Sequence, residues 1–512
     1  MAQINVSHLT FAYEGSFDNI FEDVSFSVDT DWKLGLIGRN GKGKTTFLRL
    51  LQGKYPCQGV ISASAVFDYF PYTVTGEQML LPAAEFAEEL KVGCELWRVM
   101  RELELLGQGA EILYRPFSEL SPGECTKVLL AVLFSGENDF LLIDEPTNHL
   151  DQASREVVKR YLASKKGFIL VSHDRDLLDG CVDHVLVLNR KTIELQRGNF
   201  FAWQENKDRR DRFAQAENEK HLKEIGKLKQ AAERTARWAN KNENTKIGFD
   251  PIEEHDRSKD TRAFLGAKTK KMQSRVKQME KRIHREIEEK EGLLADLEQP
   301  VELKLMPLEH HKKTLVNVRD YGLGYREAEN MLFEGLTFSV QQGQRIAIHG
   351  SNGCGKSTLL KMVLEKAGTA DRRLPVREKG VCETAAGLVI SYVNQDTSML
   401  RGGISAFCRE HNLKESLFCA ILRQLDMERS QFLKGMEEYS EGQKKKVLLA
   451  ASLLTPAHLY VWDEPLNYVD VFSRMQIEKL ILDYKPTMLF VEHDGRFRDR
   501  IATETIVLAG GM

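Results

Sequence analysis

Residues Ile4–Val28 recur at Val316–Val340 with a constant offset of 312. Tyr13 falls on Tyr325, Phe21-Glu22 on Phe333-Glu334, and Phe26-Ser27-Val28 on Phe338-Ser339-Val340. The register holds without a gap through two glycine-rich stretches, Gly38–Thr46 and Gly350–Thr358. A period of that length is far beyond a solenoid repeat. The 512 residues therefore have to fold as two copies of a domain of about 200 residues, with roughly 100 between them that match neither.

Inside each copy the pattern alternates: an amphipathic strand pair, a buried strand, a glycine loop and a helix. Short apolar runs follow, Phe140–Ile143 and His458–Trp462, each ending in Asp-Glu. Runs of that length bounded by turn signals suit buried parallel strands, so each copy reads as α/β. No stretch approaches the 18 or so apolar residues of a membrane span. The start, Met1-Ala2-Gln3-Ile4, has no charged region followed by an apolar one, which excludes a secretory signal. Eight cysteines without a CxxC pair argue against a disulfide framework and a zinc site, and the chain reads as cytoplasmic. Net charge is only −3, so any affinity for a polyanion must be local.

The middle hundred differs. Residues 201–300 carry 24 Lys/Arg and 20 Asp/Glu, with Pro251 the only proline before Pro300. Leu222, Ile225, Leu228 and Ala232 form one apolar stripe; Met272, Val276, Met279, Ile283, Ile287, Leu294 and Leu297 form another. Residues 242–259 break the period, with Gly248 and Pro251 as stops. The pattern predicts two long antiparallel helices in a coiled-coil hairpin with its tip near 243–262; the alternative is a disordered charged linker. The boundaries follow: 1–201, 202–299 for the hairpin, and 300–512. Residues 261–282 hold eight basic residues, from Arg262 to Arg282, against Glu280 alone. Such a cationic face suits a phosphate backbone, although a solvated helix face reads the same.

Both glycine stretches fit G-x-x-x-x-G-K-[ST] after an apolar strand: Gly38, Asn40, Gly41, Gly43, Lys44, Thr45 and Thr46, then Gly350, Asn352, Gly353, Gly355, Lys356, Ser357 and Thr358. Glycines let backbone N–H groups turn inward around phosphates, the next helix adds its positive end, and the lysine reaches the β/γ-phosphates. Thr45 and Ser357 are placed to hold Mg²⁺. Asp144-Glu145-Pro146 and Asp463-Glu464-Pro465 follow downstream. An aspartate ending a strand beside such a loop suits the Mg²⁺ shell, and Glu145 or Glu464 can polarise an attacking water.

Leu120-Ser121-Pro122-Gly123-Glu124 and Tyr439-Ser440-Glu441-Gly442-Gln443 resemble the LSGGQ signature of ABC ATPases, each serine 23 residues before its aspartate. Asp151 and Asp470 match the D-loop aspartate, and His173 and His493 the switch histidine. Tyr13 and Tyr325 stand where the family stacks adenine, and Gln395 matches the Q-loop glutamine at the metal. The resemblance implies two tandem P-loop ABC nucleotide-binding domains in one chain, an ATPase using ATP and Mg²⁺, closing head-to-tail as a monomer. Ser440 and Gly442 would then serve the site at Lys44, and Ser121 and Gly123 the site at Lys356.

Two cassettes joined by a long charged linker are similar to the ABC-F family, and Asp463–Asp470 resembles its antibiotic-resistance branch, especially Lsa-like proteins. That resemblance implies binding in the ribosomal E site, with the linker reaching large-subunit rRNA, P-site tRNA and the peptidyl-transferase centre. It implies protection against lincosamide, pleuromutilin and streptogramin A drugs. A general translation factor without a drug role, or the ATPase of an efflux transporter, are the alternatives. Three departures stand out: Tyr72 where the first Q-loop glutamine belongs, and Pro122 and Glu441 in place of a signature glycine.

Overall fold

The computed structural model describes residues 3–508 apart from 14–18, 40–42, 137–138, 148–149, 190–191, 327–329, 352, 370–373, 426 and 468; within 245–304 it describes only 274, 278, 281, 282 and 285. The chain divides into one unit of Met1–Trp203 with Pro300–Met512, and a second of Gln204–Gln299.

The first cassette pairs two sheets. An antiparallel sheet takes β1 (Gln3–Phe11), β2 (Phe21–Asp29) and β4 (Gln58–Ala63) in the order β2-β1-β4. The second uses β3 (Lys33–Gly38), β5 (Val66–Phe70), β6 (Asp139–Asp144), β7 (Phe168–Val171), β8 (His184–Leu188) and β9 (Ile193–Arg197), in the order β5-β6-β7-β3-β8-β9. Its pairings are parallel except β8 with β9. Parallel strands are covered on both faces, and β7 is buried at all four residues, as its unbroken apolar run requires. Phe47 and Leu48, on the helix after the glycine loop, join Val6, Leu9 and Phe140 in the core between the sheets.

The second cassette repeats this plan. Its antiparallel sheet is β11 (Phe333–Gln341), β10 (Thr314–Tyr325) and β13 (Val376–Thr384). Its parallel sheet runs β14 (Ile390–Val393), β15 (Leu459–Asp463), β16 (Met488–Val491), β12 (Arg345–His349) and β17 (Glu504–Val507). In both cassettes the strand bearing the Asp-Glu pair lies two places from the strand feeding the glycine loop. That topology brings loop and carboxylate together at the carboxyl ends of the strands.

The cassettes meet through a buried ionic seam. Arg175, 1% exposed, hydrogen-bonds Glu478 of the other cassette and lies 3.5 Å from Asp494. Arg474 reaches the same Asp494 at 3.1 Å, and Arg500 bonds Glu478 at 3.2 Å. Arg496 crosses in the other direction to Asp179 at 2.7 Å.

The helix Phe200–Asn244 begins within the first unit, where Phe200 and Trp203 are buried. In the expected first seam Ile225 is buried and Leu228 half-buried, but Leu222 is exposed. The reason is geometric: at about 100° per residue a step of three falls about 60° short of a turn, so Leu222 and Leu228 flank Ile225. The second stripe and the expected tip at 243–262 lie outside the described residues, save for Glu243 and Asn244 on that helix. Among the described residues no helix is long and apolar enough to cross a membrane.

Removing one member of a buried charge set leaves its partners desolvated, typically at about 3 kcal/mol or more. Arg175→Met is therefore expected to lower the urea midpoint of the paired cassettes well below that of Arg175→Lys; equal midpoints would contradict the role given to the seam.

Candidate nucleotide sites

Each loop ends in a glycine only glycine can supply. Gly43 (φ 91°) and Gly355 (φ 96°) sit in the left-handed region. A Cβ on Gly43 would lie 2.6 Å from Ile20, and one on Gly355 would crowd Leu332 at 3.2 Å. From these turns the helices Lys44–Leu51 and Lys356–Lys366 start, their N–H ends facing the loop. Lys44 Nζ folds over the carbonyls of Gly38 and Arg39 at 2.8 and 3.3 Å. Lys356 Nζ repeats the contact with Gly350 and Ser351 at 2.9 and 2.7 Å. Asn40, Gly41 and Asn352 lie outside the described residues.

Four of the five expected metal groups pair off, while the fifth, Gln395, turns its amide to Glu464. Thr45 donates to Asp144 at 2.9 Å and Ser357 to Asp463 at 3.0 Å. Asp463 is fully buried, and its Oδ2 has no hydrogen-bond partner. Burial pushes it up to about 6, against the opposing bond from Ser357. A desolvated carboxylate oxygen beside a hydroxyl is a hard donor set of the kind Mg²⁺ takes, so the residues fit that ion. Tyr13 and Tyr325, each 42% exposed, share hydroxyl hydrogen bonds with Thr46 (2.7 Å) and Thr358 (3.1 Å). The hydroxyl bonds tie each ring to its glycine-loop helix, and Tyr13 also packs edge-to-face with Phe11 and Tyr55.

Glu145 and Glu464 both take φ near +50°, a strained backbone that L-residues adopt where structure enforces it. Each is held by one bond from its own N–H to the next strand, Val171 O or Val491 O. The side chains then differ. Glu464 accepts from Gln395 Nε2 at 3.0 Å and Asn467 Nδ2 at 2.8 Å, and pairs with His493 Nε2 at 3.0 Å. Burial raises its pKa, but the His493 bond and the nearby Lys356 and Lys445 charges outweigh this and hold it low. Glu145 lies 3.3 Å from His173 Nε2 without the alignment of a hydrogen bond, and accepts from the His173 N–H at 3.4 Å. Burial and the adjacent Asp144 raise it to about 8. His173 is itself depressed by burial and by Lys44 and Arg474, so it stays neutral and adds no charge. Asn148, the counterpart of Asn467, lies outside the described residues.

Tyr72, standing where Gln395 stands in the other copy, turns to Asp68 at 2.5 Å. Asp144 instead receives Tyr69 at 3.0 Å on the oxygen Thr45 uses. The equivalent Tyr392 donates to Asn394. Tyr69 and Tyr392 occupy equivalent positions but bond different partners, a difference no spacing in the sequence signals.

Ser121 and Ser440 cap the helices Pro122–Leu133 and Glu441–Leu454 in capping boxes with Glu124 and Gln443. Gly123 and Gly442 follow in the first turns. A cavity of about 680 Å³ opens over Lys356, Gln395, Glu464 and His493, walled by Pro122 and Leu150 of the opposite cassette. That size suits a nucleotide, and it brings the first signature to the second loop. A much smaller cleft joins Glu145 and His173 to Asn467, Arg474 and His493 across the seam. No comparable described contact brings Ser440 or Gly442 to Lys44.

A family model described as "ABC transporter" matches residues 21–148 and 333–467. The "Ribosome protection protein VmlR" of Bacillus subtilis (strain 168) is 28% identical over 510 residues, spanning 97% of this chain and 85% of that protein. "ABC transporter F family member 5" of Arabidopsis thaliana is 24% identical, over 99% of this chain and 75% of the relative. Among solved structures, "RNase-L Inhibitor" superposes with a TM-score of 0.59 over 98% of this chain and 87% of that one, at 19% identity, and shows a shared fold.

The two glutamates should respond differently to pH. A base works only when ionised, so nucleotide hydrolysis at Lys44, isolated by Glu464→Gln, is expected to rise from pH 7 to 9 as Glu145 loses its proton. Hydrolysis at Lys356, isolated by Glu145→Gln, is expected to be faster and flat over that range. Matching profiles would contradict the difference in environment.

Proposed function

The chain belongs to the ABC family of ATP-binding cassettes, and from that premise we propose that it is an ABC-F ATPase that binds the ribosome and protects the large subunit from antibiotics. The observation that carries this reading is likeness to the ribosome protection protein over 97% of the chain, hence across the charged middle segment as well as the cassettes. The helix Phe200–Asn244 is rich in residues of both charges. The eight basic residues of 261–282 follow it in sequence. A cationic segment of this kind binds rRNA or tRNA through charge and shape, in keeping with an E-site position and a tip directed toward the peptidyl-transferase centre and P-site tRNA.

ATP supplies the energy. Lys44 and Lys356 hold its phosphates, Thr45 with Asp144 and Ser357 with Asp463 hold Mg²⁺, and Tyr13 and Tyr325 take the adenine. When bound there, Mg²⁺ would supply neutralisation of the charge developing on the phosphates. Glu464, ionised and fixed by Gln395, Asn467 and His493, aligns a water and takes its proton. Pro122 and Leu150 close the same cavity from the other cassette, so nucleotide bound at Lys356 bridges the two. Loss of the γ-phosphate removes that bridge and shifts the cassettes toward separation.

Added to a translation extract stalled by a lincosamide, pleuromutilin or streptogramin A drug, the protein is expected to restore synthesis. Replacing residues 243–262 by a short Gly-Ser turn should keep ATP turnover and sharply reduce that rescue. Full rescue by the shortened protein would make the tip a spacer. No rescue by the parent, with normal ribosome binding, would favour a translation factor without a drug role.

A further inference from the structure

One departure from the ordinary signature, Glu441, belongs to a device with Lys445. The helix Glu441–Leu454 begins at Ser440, and Glu441 and Lys445 lie one turn apart on one face of it. Both reach the loop that carries Gln395. Glu441 Oε2 accepts from Thr397 Oγ1 at 2.5 Å, and its other oxygen pairs with Lys444 at 3.2 Å. Lys445, 4% exposed, donates its Nζ to the carbonyl of Asn394 at 3.1 Å. The loop is gripped on both sides of Gln395, whose amide meets Glu464. Glu441, Lys445, Gln395 and Glu464 all border the same cavity.

The first copy supplies an internal comparison. Pro122 stands for Glu441, Thr126 for Lys445, Val74 for Thr397 and Tyr72 for Gln395. Proline and valine have no side-chain polar atom to offer, and Thr126 bonds back to Pro122 O within its own helix at 2.9 Å. The grip and the glutamine occur together in one copy and are missing together in the other. A buried lysine is costly unless its charge is used, and here the desolvated ammonium faces Asp463, Glu464, Glu492 and Glu441.

We propose that Glu441 and Lys445 are positioning residues that clamp the Gln395 loop to the signature helix, so that Gln395 reaches Glu464 only when that helix is in place. Ser440 at the head of the helix is the group expected to serve the opposite nucleotide. The clamp therefore couples signature movement at one site to the base at the other, in one direction only. It rests on Glu464 acting as the base.

The test uses the full-length chain with Glu145→Gln, leaving Lys356 as the working site. Glu441→Gln and Lys445→Met are each expected to lower kcat for ATP about tenfold at unchanged KM, less than the ~10²-fold of a 1 Å displacement at the chemistry. Lys445→Arg should retain most of the rate. With Gln395→Ala also present, Lys445→Met should cost nothing further, because the residue to be positioned is gone. An equal loss with and without Gln395 would overturn the proposal and make Lys445 a direct electrostatic or merely structural group. Gln395→Ala that leaves turnover intact would overturn it as well. Loss of Glu464→Gln sensitivity in the same background would instead remove the reading of the base itself. Glu441 is solvent-exposed, so its variant keeps the test open should the buried lysine variants fold poorly.

Discussion

Arg175 is the pivot of the molecule. Its guanidinium is buried in the opposite cassette against Glu478 and Asp494, two residues beyond His173 and one beyond His493. A buried charge set tolerates little misalignment, because each unpaired member bears its full desolvation cost. The seam therefore ties the switch segments of the two nucleotide sites to one geometry. Arg155 extends the tie: it lies 3.8 Å from Asp174 and donates to the carbonyl of His493 at 3.4 Å.

On that shared frame the two sites are equipped differently. At Lys356, Glu464 is held by Gln395, Asn467 and His493, with its pKa kept low by the His493 bond and nearby lysines, and the loop bearing Gln395 is tied to the signature helix. At Lys44, burial and Asp144 push Glu145 up, and Asp144 takes a hydrogen bond from Tyr69.

Much of this was legible in the residues alone. The repeat, both phosphate loops and the strand-end carboxylates depend on local spacing, and the parallel sheets place them together as that spacing implied. The difference between the two glutamates was not legible, because it arises from desolvation and from whether the neighbouring histidine is aligned to bond the carboxylate, as His493 does for Glu464 and His173 does not for Glu145. The seam was hidden for a related reason: Arg175 and Glu478 are 303 positions apart, and neither carries a motif. Glu441 could be seen only as a missing glycine until Thr397 was found against it. In the linker, the spacing of Leu222, Ile225 and Leu228 suggested one seam, but steps of three precess around a helix and only Ile225 is fully buried.

The central claim is that ATP-closed cassettes hold this chain on the ribosome. Glu145→Gln combined with Glu464→Gln should retain ATP binding, lose at least the ~10²-fold in turnover typical of removing a general base, and lock the closed form. Sedimented with ATP through a sucrose gradient from a cell lysate, that variant should travel with ribosomes and the large subunit, and release when ATP is replaced by ADP. Recovery with the membrane fraction, or at the top of the gradient in both nucleotides, would contradict the account.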